Sequence, residues 1–291
     1  MHARLGASFA TVTLGLLASG FASQGPDVSE KAVLKATAAY VSSYQQQLTS
    51  IIADERYAQQ IVEQTPPDPD ATRTRQMRSE IFFMFAPVRH DWMTIRDVLS
   101  VDGKTVPDRP DLKEALRTLP EYEVAGTFKK YNSRYNVGRI TRNFNEPTMS
   151  LLVLDEHHRG RFSFDRERVE RVRDATLVSL SFTEREMPTL IRDSHGRYIF
   201  VKGEVVVEAG SGRVRRVQLR ALHDNVRVEL TTVYAPEDRL GMWVPSHFNE
   251  EYERGTRPAR WSPASRIEHE RIHCEAVYTN FRRFDTSVRI K

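Results

Sequence analysis

The residues best spaced for chemistry are His269, Glu270 and His273, which fit the pattern H-E-x-x-H. On a helix, the two histidines would lie one turn apart and bind zinc, with Glu270 as the base that activates water. However, Ile272 to Tyr278 alternates apolar and polar residues as a strand does. On an extended chain the two imidazoles are too far apart to share the ion. We predict a turn that leads into a strand here and keep a zinc hydrolase as a second alternative.

Other catalytic motifs are missing from the sequence. No G-x-S-x-G, Walker, G-x-G-x-x-G or calcium-loop pattern occurs. The only cysteine, Cys274, shares strand parity with Ala276 and Tyr278, which predicts a buried core residue rather than a nucleophile. We therefore predict a protein that is not an enzyme and holds no cofactor or metal.

The first residues have the order of a secretory signal peptide. Residues 1–22 run from a basic start at Arg4 through an apolar segment to Gly20-Phe21-Ala22, where small residues suit a peptidase. The apolar run is shorter than the ~20 residues of a membrane-spanning helix. We predict a cleaved leader and a soluble mature protein that is periplasmic or secreted.

The charge pattern gives little support to nucleic-acid binding. The formal net charge is +4, and arginines alternate with acids, as in Arg166-Glu167-Arg168. A nucleic-acid surface gathers basic residues on one side, whereas this alternation is typical of solvated faces. We expect no nucleic-acid partner.

Two regions follow the leader. Residues 23–65 predict one long N-terminal helix, because Tyr40, Tyr44 and Leu48 recur at four-residue steps and continue to Ile51 and Val62. Ser29 is its expected N-cap, and the prolines from Pro66 onward end it.

Residues 66–291 predict an antiparallel β-rich domain with a helical insertion at about 111–138. From Leu151–Leu154 onward, short apolar runs alternate with charged residues, so each strand has one wet and one dry face. The predicted fold is α+β: a long helix, then a curved antiparallel sheet forming an open half-barrel, with helices packed on its concave face. A closed barrel or a sandwich is the rival architecture.

Several segments resemble known families. Trp92–Asp108, Arg134–Thr148 and Tyr278–Phe284 resemble a family of exported bacterial proteins. The second half is similar to the half-barrel of LolA-type lipoprotein carriers, as seen in these segments: Gly203–Glu208, Gly212–Val214, Val226–Tyr234 and Leu240–Pro245 leading to Tyr252. The second resemblance implies a concave apolar surface that shelters acyl chains in the periplasm.

The leading functional hypothesis is a non-enzymatic exported protein that shelters a lipid or other apolar ligand, with transient contact to a membrane or envelope protein. Affinity would come from apolar burial, at about 25 cal/mol per Å². The first alternative is a structural or interaction module of the cell envelope, with the same face fully packed. The residues expected to line the cavity are Phe164, Leu180, Phe182, Val205, Val207, Leu230 and Trp243.

Overall fold

The computed structural model describes residues 26–65, 67–142, 146–193, 195–255 and 269–284. The helices are α1 (Glu30–Leu48), α2 (Leu112–Thr118), α3 (Glu121–Asn132) and α4 (Glu156–Arg159), with 3-10 turns at Ser133–Tyr135 and Met149–Leu154. The first strands are β1 (Ile51–Thr65), β2 (Thr74–Ala86), β3 (Asp91–Val101), β4 (Lys104–Thr105), β5 (Phe162–Val172), β6 (Ala175–Glu184), β7 (Ile191–Arg192) and β8 (Tyr198–Ile199). The remaining strands are β9 (Val201–Glu208), β10 (Val214–His223), β11 (Val226–Glu237), β12 (Met242–Gly255) and β13 (His269–Arg283).

One large antiparallel sheet dominates the molecule. Its strand order is β4-β3-β2-β1-β13-β12-β11-β10-β9-β6-β5, while β7 and β8 form a separate hairpin. The last strand, β13, pairs with β1 and β12, which brings the first and last strands together near the centre of the sheet. The outermost strands β4 and β5 do not pair with each other, so the curved sheet is not closed. The predicted antiparallel, unclosed sheet is confirmed.

The N-terminal helix is shorter than predicted. Ser29 caps α1 by accepting a hydrogen bond from the Ala32 amide, but α1 ends at Leu48, and residues 51–65 form β1 instead of continuing the helix. Ser50 has φ +68°, in the left-handed region, which breaks the helical path. The prediction of helix to residue 65 is therefore wrong beyond Leu48. Polar Glu55 and Gln59 occupy buried positions of β1 and hide its period of two.

The segment Leu151–Leu154 is also not the predicted strand. It belongs to the 3-10 turn Met149–Leu154, in which all six residues are buried. A strand with one wet face would bury every second residue, whereas this apolar run is enclosed on all sides. A short continuous apolar run does not distinguish these structures by periodicity.

Helix α1 lies on one face of the sheet, called here the inner face. Val33, Val41, Tyr44 and Leu48 of α1 are at most 2% exposed and share one core with the inner side chains of the strands. Helix α1 touches β2 on one side of the curved sheet and β5 and β9 on the other. It therefore crosses the inner face, as the half-barrel prediction requires of a packed helix.

Helices α2 and α3 cover the opposite face of β1–β3, in contrast to the prediction that the helices share the concave face. Their residues Leu116, Val124 and Phe128 pack in a second core with Phe82 and Ile95. Phe82 lies between the inner residues Ile81 and Phe83 in sequence and so points to the other side of the sheet. Strand β2 is therefore apolar on both faces, so other elements must pack against both of them.

Within the described part of the chain, no helix has the length and apolarity needed to cross a membrane. The predicted leader, residues 1–22, lies outside the described residues and stays a prediction.

The contact between α1 and the β9–β10 turn predicts a sensitive position. A Cβ at Gly212, which has φ +68°, would lie 2.2 Å from the backbone of Ala36 in α1. Gly212→Ala should lower the free energy of unfolding by about 2–4 kcal/mol, through overlap and backbone strain. Gly241→Ala is the matched control, since Gly241 has φ +62° and nothing within 4 Å of its Cβ position. Urea unfolding of both variants measures the difference, and equal losses would contradict this account of how α1 docks.

Candidate functional site

All seven residues predicted to line a cavity are in or against the main core on the inner face. Leu180, Phe182, Val205 and Val207 are at most 2% exposed, and Phe164 packs against them partly buried. Phe182 makes an edge-on contact with Phe162 at 5.9 Å between ring centroids. The structure thus places these residues close to one another, with other side chains of the protein packed around them.

Trp243, the sixth, carries arginines on its ring. The guanidinium carbon of Arg215 lies 3.9 Å from the centroid of the Trp243 ring, and that of Arg213 lies 5.4 Å away. Both arginines also pair with Glu208. These cation–π contacts occupy the partly buried indole face.

Leu230, the seventh, lies at an open cavity of about 350 Å³ near one end of the inner face. We call it the end cavity. Strand β11 supplies Val226, Val228 and Leu230, while Ile191 and Ile199 come from the β7–β8 hairpin. The remaining lining residues are Ile140, Thr141, Asp193, His195, Arg197, Ala221, His223, Asp224, Tyr252 and Arg254. The volume is within the range of small-molecule sites, about 300–1,000 Å³.

Polar residues form one rim of the end cavity. Arg197 donates to Asp193 (2.5 Å) and to Asp224, and His223 Nε2 lies 2.9 Å from Asp193. Burial opposes ionisation of Asp193, but hydrogen bonds from Arg197, His195 and His223 lower its pKa well below the usual value. Asp193, His223 and Asp224 are close enough together to offer three ligand atoms to a cation. The Arg197 guanidinium already bridges the two carboxylates, so the group is better described as an ion-paired rim than as a metal site.

Sequence reasoning identified Leu230 but missed most of this wall. Val226 and Val228 alternate with charged residues along the same strand as Leu230, and that signal could have placed them on one face. Ile191 and Ile199 carry no such signal, since β7 and β8 are two residues each. Only the folded hairpin brings them opposite β11.

A buried polar cluster lies on the inner face at the centre of the sheet. Arg96 Nε and Nη2 donate to the two oxygens of Glu55 at 2.6 and 2.8 Å. The hydroxyls of Tyr57 and Tyr252 donate to Glu250 at 2.8 and 2.5 Å. Burial raises the pKa of Glu250, while these hydroxyls favour its charged form. All five side chains are at most 8% exposed, and their charges and hydroxyls pair with one another, so the cluster mainly stabilises the fold.

The H-E-x-x-H residues all lie on strand β13, which begins at His269, so the strand prediction is confirmed while these residues do not form the expected turn. Glu270 is buried and accepts hydrogen bonds from the Arg139 amide at 2.8 and 3.1 Å. His269 pairs with Glu63 at 3.2 Å, and His273 pairs with Glu251 at 2.6 Å. Each histidine thus faces its own acid on a neighbouring strand, and Glu270 points to the other side of the sheet. The helical zinc arrangement is not formed.

The comparisons with known proteins concern the whole chain. No protein-family model and no curated protein matches it. A LolA superfamily protein from Nitrosomonas europaea matches with 12% identity and TM-score 0.33, covering 89% of this chain and 95% of that one. A putative outer membrane lipoprotein-sorting protein domain from Vibrio parahaemolyticus matches with 9% identity and TM-score 0.39, covering 88% and 95%. A DUF1329 family protein from Desulfovibrio piger matches with 12% identity and TM-score 0.38, covering 89% and 94%. These three structures are what this chain is similar to along most of its length.

The thiol of Cys274 is predicted to be inert. Its side chain is fully buried, and burial, with the nearby charge of Glu250, raises its pKa to about 12. At about pH 8 roughly one thiol in ten thousand would be ionised, and thiolate is the reactive form. The native protein should therefore react with a disulfide reagent at least about a hundredfold more slowly than the protein in guanidinium chloride. Equal rates in both solvents would contradict this placement of Cys274.

Proposed function

We propose that the chain is a non-enzymatic protein that binds an apolar ligand, such as an acyl chain, in the end cavity. One observation carries the proposal: a cavity of about 350 Å³ has apolar side chains from β11, from the β7–β8 hairpin and from Ile140 as its walls. An apolar cavity that stays open loses stabilising contacts that a ligand can restore.

The arrangement of polar groups supports this ligand class. The charged groups of the end cavity, among them Asp193, Arg197 and Asp224, pair mainly with one another at its rim. The walls below them offer little directional hydrogen bonding. Each 100 Å² of apolar surface that a ligand buries there contributes about 2.5 kcal/mol. Selectivity would therefore depend on size and shape more than on specific polar groups.

The seven residues predicted from the sequence have different roles in this proposal. Leu230 belongs to the ligand wall. Phe164, Leu180, Phe182, Val205 and Val207 would act as the packed support of the sheet behind α1, a role that their burial favours. Trp243 would hold the Arg213 and Arg215 side chains. Export to the periplasm or beyond, with transient membrane or envelope-protein contact, remains part of the proposal and rests on residues 1–22.

A second candidate function is a protein-interaction module. It is favoured by β5, an edge strand of the sheet with Val169 and Val172 43% and 46% exposed. An unpaired strand edge can accept a strand from a partner. The charged residues Arg166, Glu167 and Arg168 of β5 oppose unselective pairing, because charged edges discourage aggregation.

Adjacent residues of β10 provide a test of the end cavity. Ala221 lines the cavity, while Leu222 points to the other face and is 69% exposed. Ala221→Trp should fill the cavity and weaken binding of the neutral probe N-phenylnaphthylamine at least about tenfold, whereas Leu222→Trp should leave it unchanged. Probe fluorescence, titrated against delipidated protein, measures both affinities.

Two results would overturn the proposal. One is an absence of saturable probe binding by the unchanged protein. The other is equal binding by the two tryptophan variants, with circular dichroism showing both to be folded. In the first case the interaction module at β5 becomes the better hypothesis.

A further inference from the structure

A second cavity, of about 210 Å³, lies between α3 and β3 and is rich in basic side chains. We call it the basic cavity. Arg89, Arg96, Lys129 and Arg142 line it, with Glu146 as its only acidic lining residue among those the structure describes. It shares no lining residue with the end cavity.

Arg142 is the deeply buried cation of the basic cavity. Its side chain belongs to a residue only 5% exposed. Nη2 donates to the Gln59 amide oxygen, and Nη1 lies 3.7 Å from Cys274 Sγ, a weak acceptor. Nε is buried and has no hydrogen-bond partner. Among the described residues no carboxylate pairs with this guanidinium, and leaving a buried charge unpaired costs several kcal/mol.

The other basic groups differ in how far they are neutralised. Glu55 neutralises Arg96 through two hydrogen bonds. Lys129 lies 3.5 Å from Glu146. Arg89 is exposed at the mouth, with its guanidinium 5.5 Å from the centroid of the Tyr122 ring. Positive charge is therefore in excess at both the floor and the mouth of the cavity.

We propose that the basic cavity binds a small oxyanion, a carboxylate or a phosphate group, through Arg142 at its floor and Arg89 and Lys129 at its mouth. A guanidinium presents planar N–H donors that match such oxygens. The volume of about 210 Å³ is that of roughly seven waters. It limits the ligand to a small molecule or a single anionic group. The proposal is independent of apolar binding in the end cavity.

The alternative is that Arg142 only balances Glu250 at a distance. Glu250 is fully buried, and both of its oxygens accept hydrogen bonds from Tyr57 and Tyr252, not from Arg142. In that case added anions would bind no better than chloride, and the loss of Arg142 would change stability alone. The two accounts therefore differ in a binding measurement.

Glu146 adds an expected pH dependence. Burial raises the pKa of this carboxyl to about 7, partly offset by Lys129. Below that value the group is mostly protonated and neutral; above it, its charge repels an anion in the same cavity. The affinity for a carboxylate such as acetate, which is fully ionised on both sides of pH 7, should therefore fall as pH rises through 7. The charged neighbours that act on Glu146 and on the cavity are Arg89, Asp91, Arg96, Lys129 and Arg142.

The test is calorimetric titration of the whole protein with acetate, succinate and phosphate, each compared with sodium chloride at the same ionic strength. We expect saturable binding of a carboxylate or of phosphate above the chloride control, and the better anion identifies the ligand class. Arg142→Gln should weaken the binding of that anion at least about tenfold, which is the effect of a lost charge-assisted hydrogen bond. Arg220→Gln is the control, since Arg220 lies on β10, half exposed and 2.8 Å from Glu229.

Two further variants keep the test decisive if Arg142→Gln does not fold. Arg89→Gln, at the exposed mouth, should weaken binding about three- to tenfold. Glu146→Gln should bind more tightly than the unchanged protein at about pH 8 and equally at about pH 6. Equal binding of all anions and chloride, or unchanged affinity in the folded Arg142→Gln or Arg89→Gln variant, would overturn the proposal. Probe binding in the end cavity is measured separately, so either proposal can fail alone.

Discussion

The inner face of the sheet is too wide for one helix to cover, and this constraint shapes the rest of the molecule. Eleven strands at about 4.8 Å spacing extend over roughly 48 Å, whereas the 19 residues of α1 span about 28 Å. The curvature of the sheet lets α1 touch β2 on one side and β5 and β9 on the other. Met149–Leu154 fills more of the space. The end cavity is located where neither segment reaches, and there the short β7–β8 hairpin, with Ile140 and Thr141, closes over β11.

The sheet could be predicted from the sequence because much of its second half alternates. Val226, Val228 and Leu230 are separated by the charged residues Arg227 and Glu229, so the face of each side chain follows from its position. The same reasoning failed at β1, whose buried face includes Glu55 and Gln59. These polar groups are stabilised there by Arg96 and Arg142 from distant segments. Pairing between distant residues leaves no periodic signal in a local stretch of sequence.

The candidate sites were harder to predict than the fold for a related reason. Leu180, Phe182 and Leu230 have the same character in sequence, yet only Leu230 borders open space. Whether an inner side chain contacts α1 or borders a cavity depends on where α1 ends and on where the two-residue strands β7 and β8 pack against the sheet. Arg142 shows the extreme case, because nothing around it in sequence distinguishes it from the many arginines at the surface. Its burial comes from Gln59 and Cys274, 83 and 132 residues away.

The two cavities are built on one short wall. Ile140 and Thr141 line the end cavity, and the next residue, Arg142, lines the basic cavity. Tyr252 connects them, since it lines the end cavity, lies 5.8 Å from the Arg142 guanidinium and donates to buried Glu250. The wall therefore has an apolar side and a cationic side, separated by single residues. Because interiors are close-packed, a substitution that shifts this segment must change the shape of both cavities. The sites are thus best probed from their outer residues, Ala221 for one and Arg89 for the other, which lie away from the shared wall.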